Sequence, residues 1–162
     1  MIQRTLVLIK PDGVARSLTG DCLQRFEKVG LKLIGIKMVR ANSELLEKHY
    51  DDLGERRGEN VKKRMVNYMS EGPIIAMAFE GIEAVDIVRK MAGTTDPKLA
   101  APGTIRGDFT HLTMAYADSV NVPLKNVIHA SGNLKEAEQE IKLWFKEEEI
   151  CNYKTVHEMF VR

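Results

Sequence analysis

The stretch NVIHAS, residues 126–131, delivers a histidine from what reads as the end of a short buried strand, with a small residue and a hydroxyl directly behind it. A buried imidazole needs its ring nitrogens paired, so His129 taken alone is accounted for by a satisfied structural hydrogen bond. The same side chain is also a nucleophile or base near neutral pH when a neighbour orients it. Ala130 leaves room beside the ring. Ser131 can bond to an incoming phosphoryl group or its leaving oxygen, or can cap the helix that follows. Glu140, farther along that helix, can reach back to orient the imidazole or can be an ordinary surface glutamate.

Other side chains suit phosphate. In IKPDG, Lys10 stands where the first strand ends. Strand ends and the loops beyond them collect ligand groups in folds that mix strands and helices, although a lysine there can equally be solvated surface. In PGTIRGDF, Arg106 lies between two glycines, which permit close backbone approach, and its guanidinium is a planar fork that matches phosphate. Alone it is also an exposed arginine in a turn. Arg89 falls near the end of a helix, where a cation favours the helix dipole, and Tyr50 is as easily packing as substrate contact. Familiar alternatives are missing. GLKLIG, residues 30–35, is followed by Ile36 where a phosphate-binding loop requires lysine. There is no GxGxxG for a dinucleotide, and no HExxH or paired CxxC for zinc.

The elements that must position these groups are legible in outline. Residues 5–9 form an apolar, β-rich run ended by Lys10-Pro11-Asp12-Gly13, a strand and a turn. Cys22, Leu23, Phe26 and Val29 recur at helical spacing, with Gly30 as the stop. LKLIGIKMV reads as a second strand. NSELLEKHYDDL is a helix capped by Asn42 or Ser43, with Leu45, Leu46, His49 and Leu53 on one stripe. NVKKRMVNYMS is a helix with Val61, Met65, Tyr68 and Met69 inward, broken by Gly72-Pro73. IIAMAF is a buried strand, and GIEAVDIVRKMAG a helix with Val85, Val88 and Met91 inward. Residues 94–108 have no periodicity, and a loop that long is functional or disordered. FTHLTMAYADSVNVPLK reads as either a short strand or a helix-loop insertion. NVIH is the last strand. GNLKEAEQEIKLWF is a helix with Leu134, Ala137, Ile141 and Trp144 or Phe145 inward, followed by a polar tail in which Tyr153 and Phe160 are docking points. The order β-α-β-α-α-β-α-loop-β-α predicts an α+β class, a four-stranded antiparallel sheet in a ferredoxin-like (βαββαβ) sandwich with added helices.

Composition bounds the rest. The 162 residues suit one domain with a real core, and 44% hydrophobic with 29% charged residues is the globular range. The net charge of +1 gives no global reason for a nucleic-acid or acidic-membrane partner, although local basic clusters can still bind phosphate. Two cysteines, Cys22 and Cys151, make no disulfide framework and no metal spacing. Reduced thiols and an N-terminal apolar run too short for a signal or a span lead to the expectation of a soluble cytoplasmic protein.

IKPDG, HY, SGP-like EGP, PGTIRGDF and NVIHAS, in that order and ending in EAEQEIKLWF, together resemble the nucleoside diphosphate kinase family. The resemblance runs from Thr5 to about Tyr153. It implies transfer of the γ-phosphoryl group of a nucleoside triphosphate to a nucleoside diphosphate through a phosphohistidine, with Mg²⁺ bound mainly through the nucleotide phosphates. It also implies a homo-oligomer, hexamer or tetramer, and no nucleic-acid or membrane partner. Carried over by position, His129 is the nucleophile. Lys10 and Arg106 hold the phosphates, and Arg89 and Thr95 contact the β-phosphate end. Asn126 meets the sugar together with Lys10, Tyr50 lies near the phosphate path, and Ser131 and Glu140 support the histidine. Such chemistry demands in-line positioning and charge neutralisation, and a histidine nucleophile predicts ping-pong kinetics.

Three features depart from the family's common pattern. The helix after HY lacks the aromatic residue that stacks on the base and is longer, so Val61 is expected against the base with Met65 beside it. His-Ala-Ser-Gly replaces the usual His-Gly-Ser-Asp, which bears on assembly or helix capping rather than chemistry. The segment from Arg106 to His129 is also longer, so HLTMAYADSVNVPLK must bulge at a subunit interface or at the nucleotide mouth. A non-enzymatic binding module of the same fold would need His129 to be structural, and an aromatic content of 6% argues against a base-stacking platform. A scaffold without activity would have lost the histidine or the phosphate clamp, and both are present.

Overall fold

The computed structural model describes residues 1–161. Four strands, β1 (Ile2–Ile9), β2 (Lys32–Val39), β3 (Ile74–Ile82) and β4 (Ile128–Ala130), form one sheet in the order β2-β3-β1-β4. Each pairing is antiparallel. Helices fill the connections: α1 (Pro11–Ala15), α2 (Thr19–Lys28), α3 (Ser43–His49), α4 (Leu53–Arg57), α5 (Glu59–Ser70), α6 (Ala84–Ala92), α7 (Ile105–Phe109), α8 (Met114–Ser119), α9 (Leu134–Trp144) and α10 (Glu158–Val161). This is the expected four-stranded ferredoxin-like arrangement with added helices.

β1 explains the two-layer core. Its side chains alternate between the faces, and both faces are covered. Leu6 and Leu8 pack with Leu46, Tyr68, Met69 and Trp144 on one side. Val7 and Ile9 pack with Phe26, Phe79, Val88 and Ile105 on the other. A central strand buried on both sides needs an unbroken apolar run, which is what Leu6 to Ile9 supply. β4 is short and lies on the outer edge of β1, with Leu8 opposite His129.

Several local expectations are revised. The helix read through Leu53 is two pieces, α3 and α4, because Tyr50 closes the first in a non-helical conformation. The segment without periodicity holds a 3₁₀ turn, Pro97–Leu99, and the short helix α7. The ambiguous stretch contains α8, capped by the Thr113 side chain on the Tyr116 N–H. Leu134 is exposed rather than inward, since it is the first residue of α9 and precedes the face that Ala137 and Trp144 bury. Tyr153 docks, donating to the Leu33 carbonyl at 2.6 Å, whereas Phe160 is exposed. No helix among the described residues is long and apolar enough to cross a membrane.

Candidate active site

A cleft of about 920 Å³ opens beside β4, and His129 lines it. Nε2 of the imidazole lies 2.8 Å from Oε1 of Glu140, on α9. A carboxylate can only accept, so this pairing assigns the proton to Nε2 and leaves Nδ1 as the ring nitrogen with a lone pair. The second carboxylate oxygen accepts from the Ser131 hydroxyl at 2.5 Å, and that hydroxyl accepts the Leu6 N–H at 3.2 Å. Ser131 is therefore not the cap of α9. Asn133 caps it, accepting the Glu136 N–H at 2.9 Å, while the Glu136 carboxylate accepts the Gly132 N–H at 2.9 Å. Burial alone would raise the Glu140 carboxyl, but His129, His49 and the Ser131 hydroxyl outweigh it and hold Glu140 below the usual range.

His49, the last residue of α3, completes this cluster. Its Nδ1 is 3.5 Å from Glu140 Oε1 and accepts the Trp144 indole N–H at 3.2 Å. Its ring meets that of His129 edge-on, with centroids 4.4 Å apart. Burial, reinforced by His129, pushes the His49 imidazolium down to about 3, so the ring is neutral at ordinary pH. The sequence places His49 on a core stripe but gives no sign that it touches His129.

Across the cleft stand the cations. Lys10 is buried at the end of β1, and its ammonium donates to Asn126 Oδ1 at 2.7 Å. Asn126 in turn donates from Nδ2 to the Thr95 carbonyl at 2.8 Å. Burial, with Arg106 adding to it and Asp12 opposing, lowers Lys10 to about 7. Arg106, at the start of α7, donates to the Gly93 carbonyl at 2.6 Å and the Ile128 carbonyl at 2.8 Å, so it ties the end of α6 to β4. Burial and then Arg89 lower it to about 10, still a cation at neutral pH. Arg89, on α6, reaches the Ser131 carbonyl at 3.5 Å. Arg106 Nε and the Tyr50 hydroxyl are buried without a protein partner, and both residues line the cleft. Donors of this kind, next to cations and a deprotonated ring nitrogen, suit an oxyanion.

The structure thus brings Lys10, Tyr50, Arg89, Thr95, Arg106, Asn126, His129 and Glu140 to one cleft, with Ser131 buried behind the histidine. Val61 is not among the residues that line it. From the same helix it is Met65 that does, together with Leu53 and Arg56 of α4. Gly58, with φ of +94°, sets where α5 begins and so which of its residues face the opening. The long segment after Arg106 bulges against this α4–α5 wall. Asp118 of α8 pairs with Arg57 at 3.3 Å and Arg64 at 3.1 Å, and Asn121 accepts from Arg64 at 3.0 Å.

Residues 3–150 match the model of the family described as nucleoside diphosphate kinase. A nucleoside diphosphate kinase of Borreliella burgdorferi is 46% identical over 156 residues, 95% of this chain and 93% of that protein. One of Pyrococcus furiosus is 47% identical over 161 residues, 99% and 94%. Among solved structures, a transition state mimic of the nucleoside-diphosphate kinase from Borrelia burgdorferi, with bound vanadate and ADP, has a TM-score of 0.96 at 44% identity, covering 99% of this chain and 96% of that one. A halophilic nucleoside diphosphate kinase from Halobacterium salinarum in complex with CDP has a TM-score of 0.86 at 36% identity, covering 100% and 99%.

Proposed function

The chain belongs to the nucleoside diphosphate kinase family, and from that premise we propose that His129 carries the phosphoryl group between nucleotides. The observation that carries this reading is the 2.8 Å contact of Nε2 with Glu140. It leaves Nδ1 as the nucleophile. The Nδ1 lone pair attacks the γ-phosphorus of a nucleoside triphosphate, a P–N bond forms, the bond from phosphorus to the β-phosphate oxygen breaks, and the nucleoside diphosphate leaves. A second diphosphate then attacks the phosphohistidine and the ring is restored. Glu140 faces the positive charge that develops on the imidazole, and Ser131 keeps the carboxylate in place.

Lys10, Arg89 and Arg106 neutralise the phosphate oxygens, with Tyr50 and Thr95 beside them. Asn126 meets the sugar together with Lys10, a role supported by the bond between the two side chains. A Mg²⁺ ion, held mainly by the nucleotide's own phosphates, would supply further charge neutralisation beside these three cations. Met65, which lines the cleft where Val61 does not, is the aliphatic side offered to the base. The ADP and CDP in the related structures support nucleotides as partners. The family implies a homo-oligomer of four or six chains; Ile36 and Met38, 49% and 63% exposed on the outer strand β2, offer an apolar edge for association, and sedimentation at equilibrium counts the chains.

The decisive test mixes the protein with γ-labelled ATP and Mg²⁺ without an acceptor, beside His129→Ala. An acid-labile, base-stable label on the wild type alone, released by GDP as GTP, is expected. No label on folded, nucleotide-binding wild type would overturn the assignment.

A further inference from the structure

Asp12 is not used by the mechanism above, yet it touches the strangest residue in the backbone. Val127 has φ of +69°. It sits at the centre of a tight turn in which the Ile128 N–H donates to the Asn126 carbonyl at 2.8 Å. A three-residue turn with a positive central φ is the rare, strained hand, and a β-branched side chain makes it worse. Such a residue persists only where its surroundings over-determine it.

The surroundings come from the Lys10-Pro11-Asp12-Gly13 turn. Asp12 Oδ2 accepts the Val127 N–H at 3.1 Å. The Lys10 N–H donates to the Val127 carbonyl at 2.8 Å. Gly13 leaves the space: a Cβ there would lie 3.0 Å from the Val127 oxygen and 3.2 Å from its Cγ1. The other oxygen of Asp12 accepts the Tyr68 hydroxyl proton, and Tyr68, 2% exposed, accepts the Asp12 N–H at 3.3 Å. Burial, and then the Asp12 charge, push the Tyr68 phenol far above its usual value, so it remains a donor to the carboxylate.

Both neighbours of Val127 hold machinery. Asn126 fixes the Lys10 ammonium, and the Ile128 carbonyl receives Arg106. His129 follows directly. We propose that Asp12 is a positioning residue for phosphoryl transfer: with Tyr68 behind it, it holds Val127 in its left-handed turn and so sets Asn126, Arg106 and His129 against one another. The plain alternative is that Asp12 merely favours the first turn of α1 by its charge. That role would affect stability and leave turnover by the folded enzyme unchanged.

The proposal rests on the assignment of His129, which the labelling experiment tests by itself. The cycle below reads turnover, so its failure would leave that assignment standing. We would measure kcat at saturating nucleotides, with the fold checked by circular dichroism, for Asp12→Ala, Asp12→Asn, Val127→Gly and Asp12→Ala/Val127→Gly. A misplacement of the reacting groups by about 1 Å costs on the order of 100-fold. That is the loss of kcat expected for Asp12→Ala. Asparagine keeps an acceptor for the Val127 N–H and a donor for the Tyr68 oxygen, so Asp12→Asn should retain most of kcat. Glycine adopts a positive φ unaided, so the cost of removing Asp12 should shrink at least roughly tenfold when measured in the Val127→Gly background. An unchanged kcat in Asp12→Ala, or the same loss in both backgrounds, would overturn the proposal. If Asp12→Ala does not fold, the same cycle is run with Tyr68→Phe, and a Tyr68→Phe enzyme with wild-type kcat would overturn it instead.

Discussion

At the scale of single residues, the proposed chemistry of His129 turns on which of its ring nitrogens is free, and the 2.8 Å contact with Glu140 bears on that. Glu140→Gln keeps the shape and removes the charge. A hydrogen bond to a charged group contributes about 1.5–3 kcal/mol, so the rate of histidine phosphorylation should fall roughly 10- to 100-fold with little change in nucleotide KM. Rapid-quench measurement of the labelled enzyme reads it, and an unchanged rate would show that the carboxylate does not act on the ring. Lys10 gives a second prediction. Burial lowers it from 10.5 to about 7 in the free protein. Phosphate oxygens beside the ammonium favour the charged form and raise it again. Between these values the free enzyme lacks a proton that the complex holds, so nucleotide binding at pH 8 should take up protons. Calorimetric titrations in buffers of different ionisation enthalpy measure that uptake, and none is expected from Lys10→Arg.

At the scale of elements, the outer wall of the cleft is braced by exposed ion pairs. α4 and α5 line the opening with Leu53, Arg56 and Met65, and α8 braces them through Asp118 and Asn121. Exposed ion pairs contribute about 0.2–1 kcal/mol each. Asp118→Ala should therefore raise nucleotide KM a few-fold, leave kcat near wild type, and make KM less dependent on salt. Steady-state kinetics at two ionic strengths test this, and a KM unaffected at both would show that the brace does not bear on the wall. The same elements show what a sequence can and cannot reveal. β1 was readable because burial on both faces demands an unbroken apolar run. α9 was readable because its apolar residues recur at the helical period. α8 was not, since six residues are too few to nucleate alone and its partners Arg57 and Arg64 lie in other helices. Family position points to Val61 with Met65 beside it, and of the two it is Met65 that lines the cleft, on α5 as it starts after Gly58. His129, Lys10 and Arg106 stood out by type and neighbours. Asp12 and His49 did not, because their roles arise from contacts with residues far along the chain, Val127 and Glu140.

At the scale of the whole molecule, the fold keeps His49 neutral beside Trp144 in the interior, and this couples the site to stability. Its folded value of about 3 lies below the ordinary 6.5. The unfolded chain binds the extra proton first as pH falls, so this contribution is complete above 6.5 and is lost progressively down to about 3. Unfolding by denaturant at pH 7 and pH 5 should show the loss, and His49→Gln should flatten that part of the profile. Identical pH dependence in the variant would assign the acid sensitivity to other groups.

The same ring has an optical consequence. Trp144 is the chain's one tryptophan, its indole N–H ends on His49, and His49 lies edge-on against His129. The only indole fluorophore is therefore linked through a single imidazole to the ring of His129. On the proposed assignment, loading and unloading of His129 should alter the polar surroundings of that indole, and a shift in emission of unlabelled protein on adding ATP, reversed by GDP, would show it.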